Sequence, residues 1–159
     1  MKYRIISVGK IRESFYLAGI KEYLKRMGPY CRMEFIDGLD EKVNPRAGQQ
    51  EIDRILEKEA EHVFKLITDN EILLVLDSQG KQISSEMLAD YIAEWNISGK
   101  SRVNLLVGSS HGLSAGIKKK ADRIISFSMM TFPHQMATLI LTEQIYRGFK
   151  ILRGEPYHK

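Results

Sequence analysis

Two runs, Glu71-Ile72-Leu73-Leu74-Val75-Leu76-Asp77 and Arg102-Val103-Asn104-Leu105-Leu106-Val107, are apolar almost without interruption. A half-exposed strand alternates apolar and polar residues, whereas a short unbroken run suits a strand covered on both faces. The segments around them fit that demand. Lys2–Val8 reads as a strand ended by Gly9. Glu13–Met27 carries Phe15, Ala18, Ile20, Tyr23 and Leu24 near helical spacing, and Gly28-Pro29 stops it. Arg32–Ile36 predicts a second strand, and Asp37–Gly48, with Gly38, Asn44 and Pro45 among charges, predicts a loop. From Gln49 to Ile67 the residues Ile52, Ile55, Leu56, Ala60, Val63, Leu66 and Ile67 trace one helical stripe. Ser84 or Ser85 can cap a helix running to about Asn96. Beyond the second apolar run, a helix is predicted over Ser114–Ala121, a strand over Arg123–Ser128 and a helix from His134 to Ile151. Strands alternating with helices predict an α/β fold, a parallel sheet with helices on both faces. At 159 residues the expectation is one domain spanning 1–159.

Composition excludes several classes. With 43% hydrophobic and 28% charged residues the chain is neither disordered nor fibrous. No apolar run approaches the ~20 residues of a membrane span, and Met1-Lys2-Tyr3-Arg4 opens no signal peptide. A single cysteine, Cys31, excludes an internal disulfide and the usual metal-ligand clusters, so no metal is expected. A soluble, cytoplasmic protein is the expectation. Residues 1–100 hold 15 Lys+Arg against 17 Asp+Glu, and residues 101–159 hold 9 against 3. The basic end suggests a polyanionic partner, although Lys118-Lys119-Lys120 also suits a solvated helix face.

In parallel sheets, ligands bind beyond the carboxyl ends of the strands. Three stretches fall there: Asp77–Lys81, Gly108–Gly112 and Phe127–His134. Gly108-Ser109-Ser110-His111-Gly112 matches the G-x-S-x-G nucleophile elbow, with Asp122 and His134 or His158 following in hydrolase order. The glycines alone would also suit a turn that approaches a ligand, and no HGGG-type oxyanion loop precedes the serine. No GxxxxGK[ST] or GxGxxG phosphate loop occurs. Phe127-Ser128-Met129-Met130-Thr131-Phe132-Pro133-His134 is too apolar for an exposed connection and is expected to be buried. Its backbone groups, lacking a ladder, suit the edge of an adenine ring as well as they suit a core-filling loop. Glu143 and Arg147 stand four apart on the last helix, the spacing of an ordinary ion pair. The terminal Tyr157-His158-Lys159 offers a ring, an imidazole and a cation. Such a set can stack on a base, exchange a proton and hold phosphate, or simply fray.

Leu76-Asp77-Ser78-Gln79-Gly80-Lys81, the turn Gly108–Leu113, the stretch Met130-Thr131-Phe132-Pro133-His134-Gln135-Met136, the segment Glu143-Gln144-Ile145-Tyr146-Arg147 and the terminal Pro156-Tyr157-His158 together resemble the ribosomal RNA large subunit methyltransferase H family. That family belongs to the SPOUT class of knotted methyltransferases, and the resemblance covers the whole chain. It implies a C-terminal trefoil knot holding S-adenosylmethionine, a homodimer, and methylation of N3 of a pseudouridine in the 23S rRNA of the assembled ribosome. Carried over by position, the cofactor contacts are Leu76, Gly108, Phe127, Ser128, Met129, Met130, Thr131 and Phe132. The substrate side would use Arg147, Tyr157, His158 and Lys159. His158 is the first candidate for the general base and Glu143 the second, with Arg147 stabilising charge on the target base. Ser109 stands where the family more often has a second glycine, His111 where it often has Asn or an acid, and Thr138 where many members have arginine. The competing readings are a serine hydrolase using Ser110 and a ribosome-binding module without chemistry.

Overall fold

The structure, a computed structural model, describes residues 1–158. Lys159, assigned above to the substrate side, lies outside the described residues. The elements follow in strict alternation: β1 (Lys2–Ser7), α1 (Ser14–Met27), β2 (Arg32–Asp37), α2 (Gln49–Phe64), β3 (Glu71–Gln82), α3 (Ser85–Ile97), β4 (Arg102–Val107), α4 (Ala115–Lys120), β5 (Arg123–Ser126) and α5 (His134–Leu152). The strands form one parallel sheet in the order β2-β1-β4-β3-β5. The two unbroken apolar runs, β3 and β4, sit side by side in its interior, in register from Glu71↔Arg102 to Leu76↔Val107.

Alternate side chains of these strands feed two cores. Tyr3, Ile5, Leu74, Leu105 and Val107 face α5 and its neighbours, where Leu141, Ile145, Tyr146 and Phe149 close the layer. Ile6, Leu73, Val75 and Leu106 face the other way, onto Ala60 and Val63 of α2 and Ile117 of α4. Helix starts are fixed locally: Ser84 Oγ accepts from the Met87 amide at 3.2 Å and Ser114 Oγ from the Ile117 amide at 3.3 Å. Helix α5 lies between α1 and α3, so Ile145, Tyr146 and Phe149 are buried inside one chain. Met136, Leu139, Ile140 and Ile151 remain half-buried and Leu152 is exposed, with Leu139 set against Gly19 of α1. The apolar residues on several sides of this helix are therefore explained largely by its two flanking helices.

Strand β3 outruns its sequence signal. It pairs with β5 at Leu76↔Ile125, bulges through residues 77–80, and pairs again at Lys81↔Ile125. Gly80 makes this possible: a Cβ there would lie 2.5 Å from the carbonyl carbon and oxygen of Ile125. Backbone cannot yield as a flexible side chain can, so Gly80→Ala should cost roughly 1–3 kcal/mol, as overpacking does. Thermal unfolding measures it; a variant as stable as the parent would show that the second pairing contributes nothing.

The triple lysine is mostly spent within the chain. Lys118 pairs with Asp77 and Lys120 with Asp69, each at 2.7 Å, because successive residues on α4 point in different directions. No helix among the described residues is long and apolar enough to cross a membrane, and no group of three or more His, Cys, Asp or Glu is placed to hold a metal ion.

Candidate active site

The bulge of β3, which lies within that strand rather than beyond its end as expected, opens together with the carboxyl ends of β4 and β5 into a cleft of about 740 Å³. Its walls come from all three stretches expected there: Leu76 to Ser78, Val107 to Leu113 save His111, and Ser126 to Gln135 save Met129. Leu76, Leu113, Phe127 and Phe132 supply apolar faces, and Asp77, Ser109, Ser110 and Ser128 supply polar edges. That mixture and that volume suit a small organic ligand carrying a few polar groups. Of the residues carried over for the cofactor, Leu76, Gly108, Phe127, Ser128, Met130, Thr131 and Phe132 line the cleft, while Met129 is 88% exposed and does not.

Two expectations are corrected here. The Phe127–Phe132 loop is not buried: Met129 and Met130 stand out at 88% and 71% exposure. The loop forms one wall of an open cleft, so one side of it has no protein to pack against. Its backbone is instead held by its own side chains. Ser126 Oγ donates to the Ser128 carbonyl at 2.8 Å and accepts from the Ser128 amide at 3.2 Å, and Ser128 Oγ accepts from the Met130 amide at 3.1 Å. Second, Gly108 is required by the turn before any ligand arrives. A Cβ there would meet the Gly112 carbonyl oxygen at 2.7 Å and Leu113 Cγ at 2.9 Å. Gly112 completes the turn with φ 89°, a conformation that favours glycine.

The His134-Gln135 pair ties this cleft to the opening of the chain. Gln135 Oε1 accepts from the amides of Arg12 and Glu13 at 2.7 and 2.9 Å, satisfying donors ahead of α1. His134 Nε2 meets the Lys10 carbonyl at 3.1 Å, and its ring fills the space beside Gly9. Asp77 turns one oxygen to Lys118 and accepts the Gln79 amide with the other at 2.9 Å; these partners outweigh its burial and hold its carboxyl below the usual range.

A second polar cluster gathers around Glu155, Tyr157 and His158, which are docked on the chain rather than frayed. Glu155 is bound by Tyr30 Oη at 2.6 Å and by Lys150 Nζ at 2.5 Å. Tyr157 Oη donates to Glu143 Oε1 at 3.0 Å. Its ring meets Tyr146 edge-on at 4.9 Å, with the Arg147 guanidinium 4.7 Å from its centroid. Tyr157 is thus held by the chain's own side chains, with burial the first cause of its raised phenol pKa. Arg147 pairs with Glu143 and brings Nη1 to 3.5 Å from His158 Nδ1. His158 Nε2 lies 2.7 Å from Glu86 Oε1. Arginine has no lone pair to offer, so Nδ1 faces it as an acceptor and Nε2–H faces the carboxylate. Glu86 is pulled down to about 2 by hydrogen bonds from Ser84, from its own amide and from His158.

The catalytic candidates Glu143, Arg147 and His158 therefore come together, but away from the cleft. None of them lines it. Arg147 stands ten residues beyond Ala137, the last cleft residue on α5, roughly 15 Å of helix. Sequence reasoning missed Glu86, whose position at the start of a capped helix gave it an ordinary role. Thr138 is fully buried, bonded to Ser7 Oγ at 3.3 Å and the His134 carbonyl at 2.8 Å, and is no surface contact.

The hydrolase constellation is not assembled. Ser110 is exposed, Asp122 accepts the Leu73 amide at 2.8 Å, His134 is bonded to Lys10 and His158 to Glu86. No base among the described residues is oriented toward that serine.

Comparison with known proteins gives the family of the chain. The family profile described as "Predicted SPOUT methyltransferase" matches residues 1–158. Proteins called "Ribosomal RNA large subunit methyltransferase H" are similar along their whole length. The one from Syntrophomonas wolfei is 62% identical over 159 residues, and those from Enterococcus faecalis and Carboxydothermus hydrogenoformans are 44% and 45% identical, each covering 100% of both chains. A solved structure of a probable methylase family protein from Haemophilus influenzae superposes with a TM-score of 0.59 at 12% identity, covering 99% of this chain and 70% of that one. That likeness speaks to the fold. With the profile spanning nearly every residue and relatives this similar over their full length, the chain belongs to the SPOUT methyltransferase family.

Proposed function

We propose that this methyltransferase uses S-adenosylmethionine to methylate N3 of a pseudouridine in 23S rRNA of the assembled ribosome, acting in the cytoplasm as a homodimer. Its relatives are named as large-subunit rRNA methyltransferases, and the pseudouridine target follows from the resemblance of its motifs. The observation that carries the reading is the cleft at the β3 bulge and the ends of β4 and β5, walled by seven of the eight residues expected to hold the cofactor. The cleft fits that group: apolar faces for an adenine ring and a methyl-bearing sulfonium, with serine and aspartate edges for ribose and amino-acid ends. In the same reading the chain is one domain and its three cleft loops form the knot that the resemblance implies.

S-adenosylmethionine would bring an already activated methyl group, so the chain's own task is alignment and proton removal. The imide N3–H of the target must lose its proton as attack proceeds. His158 takes it at Nδ1 as Arg147 leaves that nitrogen for the target's carbonyl oxygens, with Glu86 behind the ring to stabilise the imidazolium. Glu143 is the poorer base, its oxygens already receiving Arg147, Tyr157 and Gln144. Arg147, held over Tyr157, offers its charge to the carbonyl oxygens of the target as they become negative. Because cleft and tail cluster are separated within one chain, each complete site takes its cleft from one copy and its tail from the other. Exposed Met129 and Met130 at the rim and half-buried Met136, Leu139 and Ile140 on α5 supply apolar surface for the second copy.

Purified protein with S-adenosylmethionine at 100 times Kd should be stabilised by about 2.7 kcal/mol, a clear rise in melting temperature. No shift, together with no labelled methyl group on ribosomes lacking the modification, would refute the reading. A second reading, docking without chemistry, has no observation in its favour.

A further inference from the structure

Glu59 is an anomaly of α2. It lies beside the apolar stripe of that helix and is 2% exposed, yet it has no cation within ion-pairing distance among the described residues. A buried carboxylate costs stability unless its oxygens are hydrogen-bonded. Both are: Oε1 accepts the Glu41 amide at 3.1 Å, and Oε2 accepts the Ser109 hydroxyl at 2.9 Å. One carboxylate thus joins the loop after β2 to the β4–α4 turn. Ser109 in turn lines the cleft, and its carbonyl accepts the Gly112 amide at 3.0 Å.

The direction of that hydrogen bond has a chemical consequence. A serine hydroxyl has one proton and two lone pairs. With the proton committed to Glu59, the Ser109 oxygen can meet a ligand only as an acceptor. We propose that Glu59 is a positioning residue for cofactor binding: by holding the Ser109 proton it sets this wall of the cleft to accept a hydrogen bond from an N–H or O–H donor of S-adenosylmethionine. This rests on the cofactor reading above.

Glu59→Gln tests it almost isosterically. The Glu41 amide must still find an acceptor, which directs the glutamine oxygen toward it and the NH₂ toward Ser109. The serine then accepts from Gln and turns its own proton into the cleft, donor against donor. Calorimetry should show about tenfold weaker S-adenosylmethionine binding in Glu59→Gln and about threefold weaker binding in Ser109→Ala, the scale of single hydrogen bonds. The double variant should be no weaker than Ser109→Ala alone, because the carboxylate acts only through the serine. With saturating cofactor, kcat should persist while KM for the cofactor rises.

Burial raises the Glu59 carboxyl above the ordinary range, against its two hydrogen bonds. Protonation as the pH falls places a hydrogen on the oxygen facing Ser109, as glutamine does. Affinity should therefore drop on acidification in the unsubstituted protein more steeply than in Glu59→Gln. Asp40, Glu41 with its partner His62, and His111 also surround Glu59, but both proteins contain them, so the difference isolates Glu59.

Equal affinity in Glu59→Gln and the unsubstituted protein, or additive losses in the double variant, would overturn the proposal. So would a Glu59→Gln protein that fails to fold while Ser109→Ala binds normally. No binding by the unsubstituted protein would instead overturn the cofactor reading, and this proposal with it.

Discussion

His158→Ala should reduce methyl transfer to ribosomes by about 10²–10⁴-fold, the contribution of a positioned general base, while S-adenosylmethionine affinity stays unchanged. The imidazole lies outside the cleft and touches Arg147 and Glu86, so its loss leaves every cleft wall in place. Ribosome binding separates the alternatives. Retained binding with lost turnover identifies a base, whereas weaker binding with unchanged turnover at saturation identifies an RNA contact. Glu86→Gln should reduce turnover less, because the amide still accepts from Nε2–H but no longer stabilises the imidazolium charge. Full activity in His158→Ala would remove the tail from the chemistry and leave Glu143, which would first have to give up Arg147 and Tyr157.

Much of this architecture was legible because the two core strands are buried on both faces. An unbroken run such as Ile72–Leu76 has few other places to go, and a helical stripe such as Ala60 and Val63 then covers the sheet. What was illegible depended on partners distant in sequence. The second β3–β5 pairing turns on the absence of a side chain at Gly80, beside a backbone 45 residues away. Glu59 looks like one more surface charge on α2 until Ser109 arrives against it, with |i−j| of 50. Glu86 gains its role from a histidine 72 residues later. The Phe127–Phe132 loop misled for a different reason: apolar content signals burial, but it does not say whether the cover is the same chain, a ligand or a second copy. The motif His134-Gln135 marked the family, and the fold explains it, since both side chains hold the β1–α1 connection against the cleft.

Mixing two inactive proteins should restore activity if the site is shared between copies. Thr131→Trp places a large ring in the cleft from an exposed position on its wall, blocking cofactor while leaving both cores untouched. His158→Ala leaves the cleft intact and removes the base. Each alone should be nearly inactive. In a symmetric dimer, random exchange of equal amounts makes about half the dimers mixed, and each mixed dimer holds one cleft and one tail that are both intact. Those two intact halves meet in the same site only if the tail serves the partner's cleft. About a quarter of all sites should then recover, a rise of roughly 25-fold or more over a background set by general-base loss. If each tail served its own cleft, every site in the mixed dimer would carry one defect and no activity would return. A protein that remains monomeric by light scattering at micromolar concentration would give the same null result and would refute the shared site directly. Rescue requires that the roughly 15 Å between Ala137 and Arg147 along α5 be bridged by a second chain rather than by movement of the first.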